Sequence, residues 1–420
     1  MNRTFAIVDC NNFYASCERL FRPDLKNVAI VVLSNNDGCI VARSQEAKDL
    51  GIKMGVPLFK VIDQIKRHGI QVFSSNYTLY GDVSARVMRT LEQFSPHVEV
   101  YSIDEAFLDL SGMSALSEYG QKIRSTVVQH VGVPVCVGIA PTKTLAKLAN
   151  YGAKKFKATQ GVVDLRDTQR QKRLLGITHV SEVWGVGRKH TLSLQQQGIT
   201  TALQLAQMDT RRVRQRYSVV LERTVCELNG ESCIDLEETS AAKQQIMCSR
   251  SFGEKLTSYA DLRECICEFA ARATEKLRNE GQLALMVHVF IRTSAFDKSG
   301  PSYDNAATGK LTCPSSDTRN ILGLVTRLFD MIWKDGYRYA KGGVMLGDFC
   351  SPVHVQLNLF DGQAARQQND ILMQAVDAIN HSGHGKVWFG GQRPTKDWFM
   401  KQANVSPAYT TRWDNIPAVK

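Results

Sequence analysis

An apolar run of four residues, Phe5 to Val8, ends on a carboxylate, Asp9, close to the start of the chain. A continuous apolar run is typical of a strand that is covered on both faces. A charged group at the end of such a strand is costly unless something pairs with it. The run therefore predicts a covered sheet with a paired carboxylate at one strand end.

Further strand-like runs follow the first one. Val28 to Leu33 is one, and Val98 to Leu110 contains two short pieces around Ser102-Ile103-Asp104-Glu105. Val133 to Ile139 precedes Pro141 and apolar residues at helical spacing, which predicts a strand followed by a helix. The mixture predicts an α+β domain with a segment inserted between Asp9 and the strand at Val98.

A chain of 420 residues is long enough for several domains. Short helices separated by glycines are predicted from about 165 to 236, followed by a polar linker at 237–245. A second α/β unit is then predicted, with strands at 246–252 and 283–293, helices at 259–280 and 318–334, and a Ser-, Gly- and Asn-rich loop at 294–309. The chain after Phe360 is polar and shows no strong repeat.

The formal net charge of +11 favours a polyanionic partner, because cationic surface releases counterions from a phosphate backbone. General basicity for solubility is the alternative. No apolar run approaches the roughly 18 residues of a membrane-spanning helix, and the N-terminus does not have the pattern of a signal peptide. We therefore expect a cytoplasmic protein with no membrane partner.

Asp9, Asp104 and Glu105 are the candidate metal ligands. Neighbouring residues of an extended strand point to opposite faces, so Asp104 and Glu105 can serve one site only if the chain turns between their strands. Three such carboxylates would offer the hard oxygen ligands that Mg²⁺ prefers, and two ions so held can drive phosphoryl transfer. The alternative is that each is an ordinary edge or turn carboxylate.

Three motifs resemble those of Y-family translesion DNA polymerases: Asp9-Cys10-Asn11-Asn12-Phe13-Tyr14-Ala15-Ser16-Cys17-Glu18, Tyr101-Ser102-Ile103-Asp104-Glu105-Ala106-Phe107 and Val137-Gly138-Ile139-Ala140-Pro141-Thr142-Lys143-Thr144-Leu145-Ala146-Lys147. Two further stretches, Leu33-Ser34-Asn35-Asn36-Asp37-Gly38 and Phe73-Ser74-Ser75-Asn76-Tyr77, resemble the UmuC-like branch, the catalytic subunits of bacterial DNA polymerase V and their plasmid-borne relatives. The likeness extends over essentially the whole chain.

The resemblance implies an α+β, multidomain, right-hand polymerase with a C-terminal extension. Its expected parts are a palm at 1–12 and 76–165, fingers at 13–75, a thumb at 166–236, a linker at 237–245, a little finger at 246–350 and the extension at 351–420.

The resemblance also assigns roles to residues. It implies that Asp9, Asp104 and Glu105, together with the backbone carbonyl of Cys10, bind two Mg²⁺ ions. Tyr14 matches the steric gate that excludes ribonucleotides, although its pattern also suits a core aromatic. Lys154 matches a triphosphate-binding lysine, or is a solvated cation at a helix end. Where many members carry Tyr and Arg on the fingers, this chain has Gln45 and Lys48; Lys48 remains a candidate phosphate contact, and Gln45 is not assigned.

Two segments are candidate interfaces. Trp184-Gly185-Val186-Gly187-Arg188-Lys189 resembles a helix-hairpin-helix turn, in which Gly185 and Gly187 allow close backbone approach to DNA phosphate and Arg188 and Lys189 add charge. An ordinary turn is the alternative. Gln356-Leu357-Asn358-Leu359-Phe360 resembles the peptide that binds the β sliding clamp, with an alternating strand as the alternative.

The resemblance implies an error-prone DNA-directed DNA polymerase that extends a primer past damaged bases in the SOS response. The expected partners are primer-template DNA, dNTP, the β sliding clamp, a cleaved UmuD-type dimer and the RecA filament, with action at the bacterial nucleoid. Two alternatives stay open: a non-catalytic DNA- and clamp-binding scaffold of the same fold, and another two-metal palm enzyme such as a nucleotidyl cyclase.

Overall fold

A computed structural model divides the chain into two compact units. The first comprises Met1–Ser240 with Ala403–Lys420, and the second comprises Ala241–Gln402. The structure describes residues 3–237, 239, 242–297, 300–352, 363–392 and 400–416, and for 363–368 it describes the backbone alone. The segment that we treated as one extension, 351–420, is thus divided between the two units.

The strands of the first unit are β1 (Phe5–Cys10), β2 (Ile30–Leu33), β3 (Ile40–Arg43), β4 (Gln71–Ser74), β5 (Val98–Val100), β6 (Glu105–Asp109), β7 (Val135–Ala140) and β8 (Val162–Asp164). They form a five-stranded sheet with the order β5-β6-β1-β7-β8 and a three-stranded sheet with the order β3-β2-β4. The helices of this unit are α1 (Phe13–Leu20), α2 (Gln45–Asp49), α3 (Ile62–His68), α4 (Tyr77–Leu91), α5 (Leu116–Val131), α6 (Lys143–Lys155), α7 (Thr168–Ile177), α8 (Arg188–Gln195), α9 (Ala202–Ala206), α10 (Thr210–Arg216) and α11 (Val219–Leu228).

Strand β1 is buried along its whole length, as its apolar run predicts. Because strand residues alternate between faces, Ala6 and Val8 enter one core cluster and Phe5 and Ile7 enter another. The first cluster lies against α1, α4 and α5, and the second lies against α6 and the helices that follow it. The sheet is therefore covered on both faces.

Helix α6 approaches β7 unusually closely. A Cβ added to Gly138 would lie 2.3 Å from the backbone oxygen of Ala146 and 2.3 Å from the backbone nitrogen of Asn150. The helix begins after Thr142, whose side chain accepts a hydrogen bond from the Leu145 N–H. Glycine in β7 and this cap together fix the helix over the sheet.

In the second unit, four strands form an antiparallel sheet with the order β11-β10-β12-β9: β9 (Ile246–Leu256), β10 (Leu283–Thr293), β11 (Asp304–Ser315) and β12 (Tyr339–Cys350). Helices α12 (Tyr259–Asn279) and α13 (Thr318–Ile332) pack on its core. The predicted loop at 294–309 is partly wrong, because Asp304 to Gly309 belong to a strand that pairs with the preceding one. This unit also contains α14 (Gln363–His381).

The mixed α+β composition that the sequence predicts is confirmed. Within the part of the chain that the structure describes, every helix is too short or too polar to cross a membrane.

Candidate active site

Asp9 and Glu105 lie opposite each other on the antiparallel strands β1 and β6. Because strand residues alternate between faces, Asp9 lies on the same face of β1 as Phe5 and Ile7, and Glu105 lies on the same face of β6 as Phe107. These three aromatic and aliphatic residues belong to one core cluster. The two carboxyl groups therefore lie at the edge of that core, on the side of the sheet that α6 covers.

Two lysines of α6 contact these carboxyl groups. Lys154 Nζ lies 2.5 Å from Asp9 Oδ1, and Lys147 forms an ion pair with Glu105. The lysines are seven residues apart, about two helical turns, so both are on the face that meets the sheet. The close packing of α6 on Gly138 brings that face within reach of the carboxylates.

The two carboxyl groups are also coupled to each other. Burial raises the pKa of Asp9 to about 7, against the opposing charge of Lys154, and a hydrogen bond with Glu105 adds to the increase. Burial acts to raise the pKa of Glu105 as well, but its bonds with Asp9 and Lys147 outweigh burial and lower it. Asp9 therefore holds a proton more firmly than an ordinary aspartate, as expected for a carboxyl group that burial removes from water.

Asp104 reaches the same strand ends through a tight hairpin between β5 and β6. The backbone N–H groups of Tyr101 and Ser102 both donate to the Glu105 carbonyl, at 3.1 and 3.0 Å. The Asp104 carbonyl accepts a 2.8 Å hydrogen bond from the Cys10 N–H, and its carboxylate accepts one of 2.6 Å from the Ser102 hydroxyl. The turn required by the sequence prediction is present.

All three acids and Cys10 line one open cleft of about 930 Å³. Carboxylate and carbonyl oxygens are hard ligands of the kind that Mg²⁺ prefers. A divalent cation bound there would favour the charged form of Asp9, which burial disfavours. The residues present fit a metal centre.

Cations line the other part of the cleft. Burial lowers the pKa of the Lys48 ammonium, and the nearby positive charges of Arg43 and Lys154 lower it further. Like charges brought together in this way suit a polyanionic ligand such as a phosphate chain. Gln45 also lines the cleft, but its amide donates to Asp49. Sequence reasoning missed Arg43, whose only signal was its position at the end of a strand immediately before the cap of α2.

Tyr14 lies in the same cleft as the carboxylates. Its ring stacks on Tyr80 with a centroid distance of 4.4 Å and an interplanar angle of 14°, and it meets the edge of Tyr77 at 6.1 Å. The residue is half-buried and packs against the core cluster of the sheet. Tyr14 thus combines core packing with a face open to the cleft.

The glycine-containing turn before α8 is anchored to the hairpin that carries Asp104. Trp184 Nε1 donates a 3.3 Å hydrogen bond to the Tyr101 hydroxyl. Gly185 has a φ of +89°, which favours glycine, and Gly187 caps α8. Arg188 and Lys189 are exposed at the start of that helix.

The predicted clamp-binding peptide, Gln356-Leu357-Asn358-Leu359-Phe360, lies outside the described residues.

Comparison with known proteins adds independent findings. Residues 8–151 match the impB/mucB/samB family, residues 243–359 match its C-terminal domain, and residues 370–419 match a domain of unknown function, DUF4113. Protein SamB of Salmonella typhimurium is 50% identical over 99% of this chain and 99% of its own length. Protein UmuC of Salmonella typhimurium strain LT2 is 50% identical over 99% of this chain and 100% of its own. DNA polymerase IV 2 of Bacillus subtilis strain 168 is 28% identical over 88% of this chain and 90% of its own length.

Among solved structures, a Y-family DNA polymerase chimera of Dbh and Dpo4 resembles this chain with a TM-score of 0.66. The match covers 83% of this chain and 99% of the chimera at 20% sequence identity. The predicted right-hand fold is confirmed by this likeness.

Proposed function

This chain belongs to the impB/mucB/samB family and is a Y-family translesion DNA polymerase of SOS mutagenesis, and on that premise we propose which of its residues carry the reaction. It is a metal-dependent nucleotidyltransferase that takes template DNA and dNTP as substrates. The observation that carries the residue assignment is the cross-strand pair Asp9 and Glu105, with Asp104 brought to the same cleft by the neighbouring hairpin.

The metal ligands are Asp9, Asp104, Glu105 and the Cys10 carbonyl, and they hold two Mg²⁺ ions. Bound there, the ions supply Lewis acidity toward the primer 3′-hydroxyl and the departing pyrophosphate. Lys147 and Lys154 keep the Glu105 and Asp9 carboxylates oriented and balance part of their charge. Rigid placement of this kind is what a phosphoryl-transfer site requires, since positioning provides much of the catalysis.

Lys48 and Lys154 bind the triphosphate of the incoming nucleotide, and Arg43 joins them. Their positive charges lie close together in the cleft, and together with burial they lower the pKa of Lys48. The triphosphate would relieve that repulsion. Gln45 stands where many relatives carry a triphosphate-binding tyrosine, and Arg43 supplies a phosphate contact in place of that tyrosine.

Tyr14 is the steric gate. Its ring borders the cleft beside the proposed metal ligands, and its stacking on Tyr80 limits the positions that it can adopt. A 2′-hydroxyl on the incoming sugar would collide with a ring held in this way. Deoxyribonucleotides are thereby preferred.

DNA contacts come from the turn of Gly185 and Gly187 with Arg188 and Lys189, whose exposed charges suit phosphate. We assign the palm to 1–12 and 76–165, the fingers to 13–75, the thumb to 166–236, the linker to 237–245, the little finger to 246–350 and the extension to 351–420.

The proposed protein partners follow from the family likeness. They are the β sliding clamp, through Gln356–Phe360, a cleaved UmuD-type dimer and the RecA filament. Because the substrate is DNA, we place the action of the enzyme at the nucleoid.

Primer extension with the purified chain tests the function. We expect synthesis across a template abasic site and on an undamaged template, with the chain alone or with a UmuD-type dimer and RecA. Extension in every arm should stop when divalent cations are removed. Binding of primer-template DNA without extension in any arm would favour the non-catalytic scaffold.

A further inference from the structure

Residues 403–416, here called the C-terminal segment, pack on the first unit although the second unit precedes them in the chain. The segment joins the end of β4: the Ser74 N–H donates to the Asn404 carbonyl at 2.9 Å, and the Asn404 N–H donates to the Ser74 hydroxyl at 3.0 Å. The Ala403 N–H donates to an Asp37 carboxylate oxygen at 2.7 Å. The segment is therefore hydrogen-bonded to the first unit through its backbone.

Ser406 is the buried centre of this contact, with 6% of its surface exposed. Asn76 Nδ2 donates to the carbonyl and to the hydroxyl oxygen of Ser406, at 3.0 Å each. The other end of the Asn76 amide accepts from the Leu79 N–H and caps α4. One side chain thus holds both the C-terminal segment and the start of the helix that carries Tyr80.

A buried polar chain leads from Ser406 toward the cleft. The Tyr80 hydroxyl donates a 2.5 Å hydrogen bond to Glu18 on α1, and both residues are fully buried. Burial raises the pKa of Glu18 to about 6, while the Tyr80 and Ser406 hydroxyls act in the opposite direction. Geometry also links Ser406 to Tyr80 through Asn76, whose carbonyl accepts a 3.0 Å hydrogen bond from the Tyr80 N–H.

Tyr14 is the end of this chain of contacts. It precedes Glu18 by one turn of α1, and its ring stacks on the ring of Tyr80. A second contact holds the far end of α1, where Tyr409 of the C-terminal segment stacks on Phe21 at 4.7 Å and 17°. The segment thus braces both the helix that carries Tyr14 and the aromatic ring behind it.

We propose that the C-terminal segment positions the steric gate, with Ser406 and Tyr409 as positioning residues for sugar discrimination. The proposal rests on the gate role of Tyr14 and gives a function to the last part of the DUF4113 match. We call the contacts of Ser406 and Tyr409 with the first unit the brace. Without the brace, α1 and Tyr80 are less restrained, so the Tyr14 ring can move aside for a 2′-hydroxyl. Among the described residues, no hydrogen bond, ion pair or ring contact joins the segment to a proposed metal ligand, so addition of deoxynucleotides should be far less affected.

The test measures the ratio of kcat/KM for a dNTP and the matching rNTP with the full chain, in whichever arm of the primer-extension experiment is active. Ser406→Ala and Tyr409→Ala should each lower the ratio about fivefold, the factor expected when one ordinary interaction no longer holds the ring. The exposed neighbour provides the control, and Val405→Ala should leave the ratio unchanged. Because both substrates are compared on one preparation, an inactive fraction cancels.

A double variant identifies the route. Tyr80→Phe keeps the ring but removes the hydroxyl that contacts Glu18, so Ser406→Ala/Tyr80→Phe should lose little more than the stronger single variant. If the ratio were unchanged in Ser406→Ala and Tyr409→Ala but collapsed in Tyr14→Ala, the positioning role of the C-terminal segment would be wrong and the steric-gate role of Tyr14 would stand. An unchanged ratio in Tyr14→Ala would contradict both proposals.

Discussion

Asp9 and Glu105 are partners across strands β1 and β6, and each contacts a different lysine of α6. Two acids at neighbouring strand ends, each paired with a lysine, would also suit a structural ion-pair network. We proposed a metal centre because the third acid, Asp104, lines the same cleft, on a hairpin in which the Ser102 hydroxyl donates to its carboxylate.

Asp104→Asn should therefore lower the rate of primer extension at least about 100-fold, a loss of about 3 kcal/mol of transition-state stabilisation. An amide keeps the hydrogen bond with Ser102 but is a poor ligand for Mg²⁺. Primer-template affinity, measured by fluorescence anisotropy, should change little. Asp63→Asn, at an exposed position of α3, is the matched control. Loss of DNA binding together with extension would indicate misfolding and leave the metal role unsupported.

Lys48→Ala should raise KM for dNTP about tenfold with a smaller change in kcat, the effect of losing one charge-assisted contact of about 1.5 kcal/mol. The neighbouring Gln45→Ala is the control, because Gln45 lies in the same cleft but donates to Asp49. Steady-state kinetics on an undamaged template measures both. Equal effects of the two variants would argue against a specific phosphate contact at Lys48.

Tyr14→Ala should admit ribonucleotides, since the ring beside the proposed metal ligands is removed. Tyr14→Phe retains the ring and its stacking on Tyr80, so it should discriminate like the parent enzyme. The measurement is incorporation of rNTP against dNTP opposite the same template base. If the phenylalanine variant also admitted ribonucleotides, the hydroxyl rather than the bulk of the ring would be responsible.

Strand β1, which holds Asp9, and its neighbour β7 were predictable because continuous apolar runs mark buried strands. Strand β11 was not. Residues 304–309 are all small or polar, and their strand conformation comes from backbone pairing with β10. Packing against α13 contributes as well, because the absence of a side chain at Gly309 leaves room for Leu324 and Leu328. Composition favoured a loop where tertiary pairing determined a strand.

Contacts between distant parts of the chain were equally hidden. The bond between Asn76 and Ser406 joins residues 330 positions apart. Nothing in the polar pattern of either segment indicates its partner, because small polar residues are equally common in turns. Arg43 escaped notice for a related reason: its proximity to Lys48 depends on how α2 follows β3, which periodicity does not reveal.

The burial of Glu18 beside Tyr80 predicts a pH dependence of the free energy of unfolding. Burial raises the pKa of Glu18 from 4.5 to about 6, so the folded protein binds this proton more tightly than the unfolded chain does. The stabilisation is complete below pH 4.5 and is lost as the pH rises through 6. Between pH 5 and pH 7 the free energy of unfolding should fall about 1 kcal/mol relative to Glu18→Gln, as measured by urea denaturation in metal-free buffer.

Comparison with the variant is essential, because Asp9 also has a raised pKa and contributes to the parent and to Glu18→Gln alike. Glu92→Gln, at an exposed position just beyond α4, is the control and should follow the parent at every pH. A constant difference between the parent and Glu18→Gln from pH 5 to pH 7 would contradict the prediction. It would mean that water reaches the Glu18 carboxyl, and hence that the C-terminal segment does not seal the space beside Tyr80 and α1.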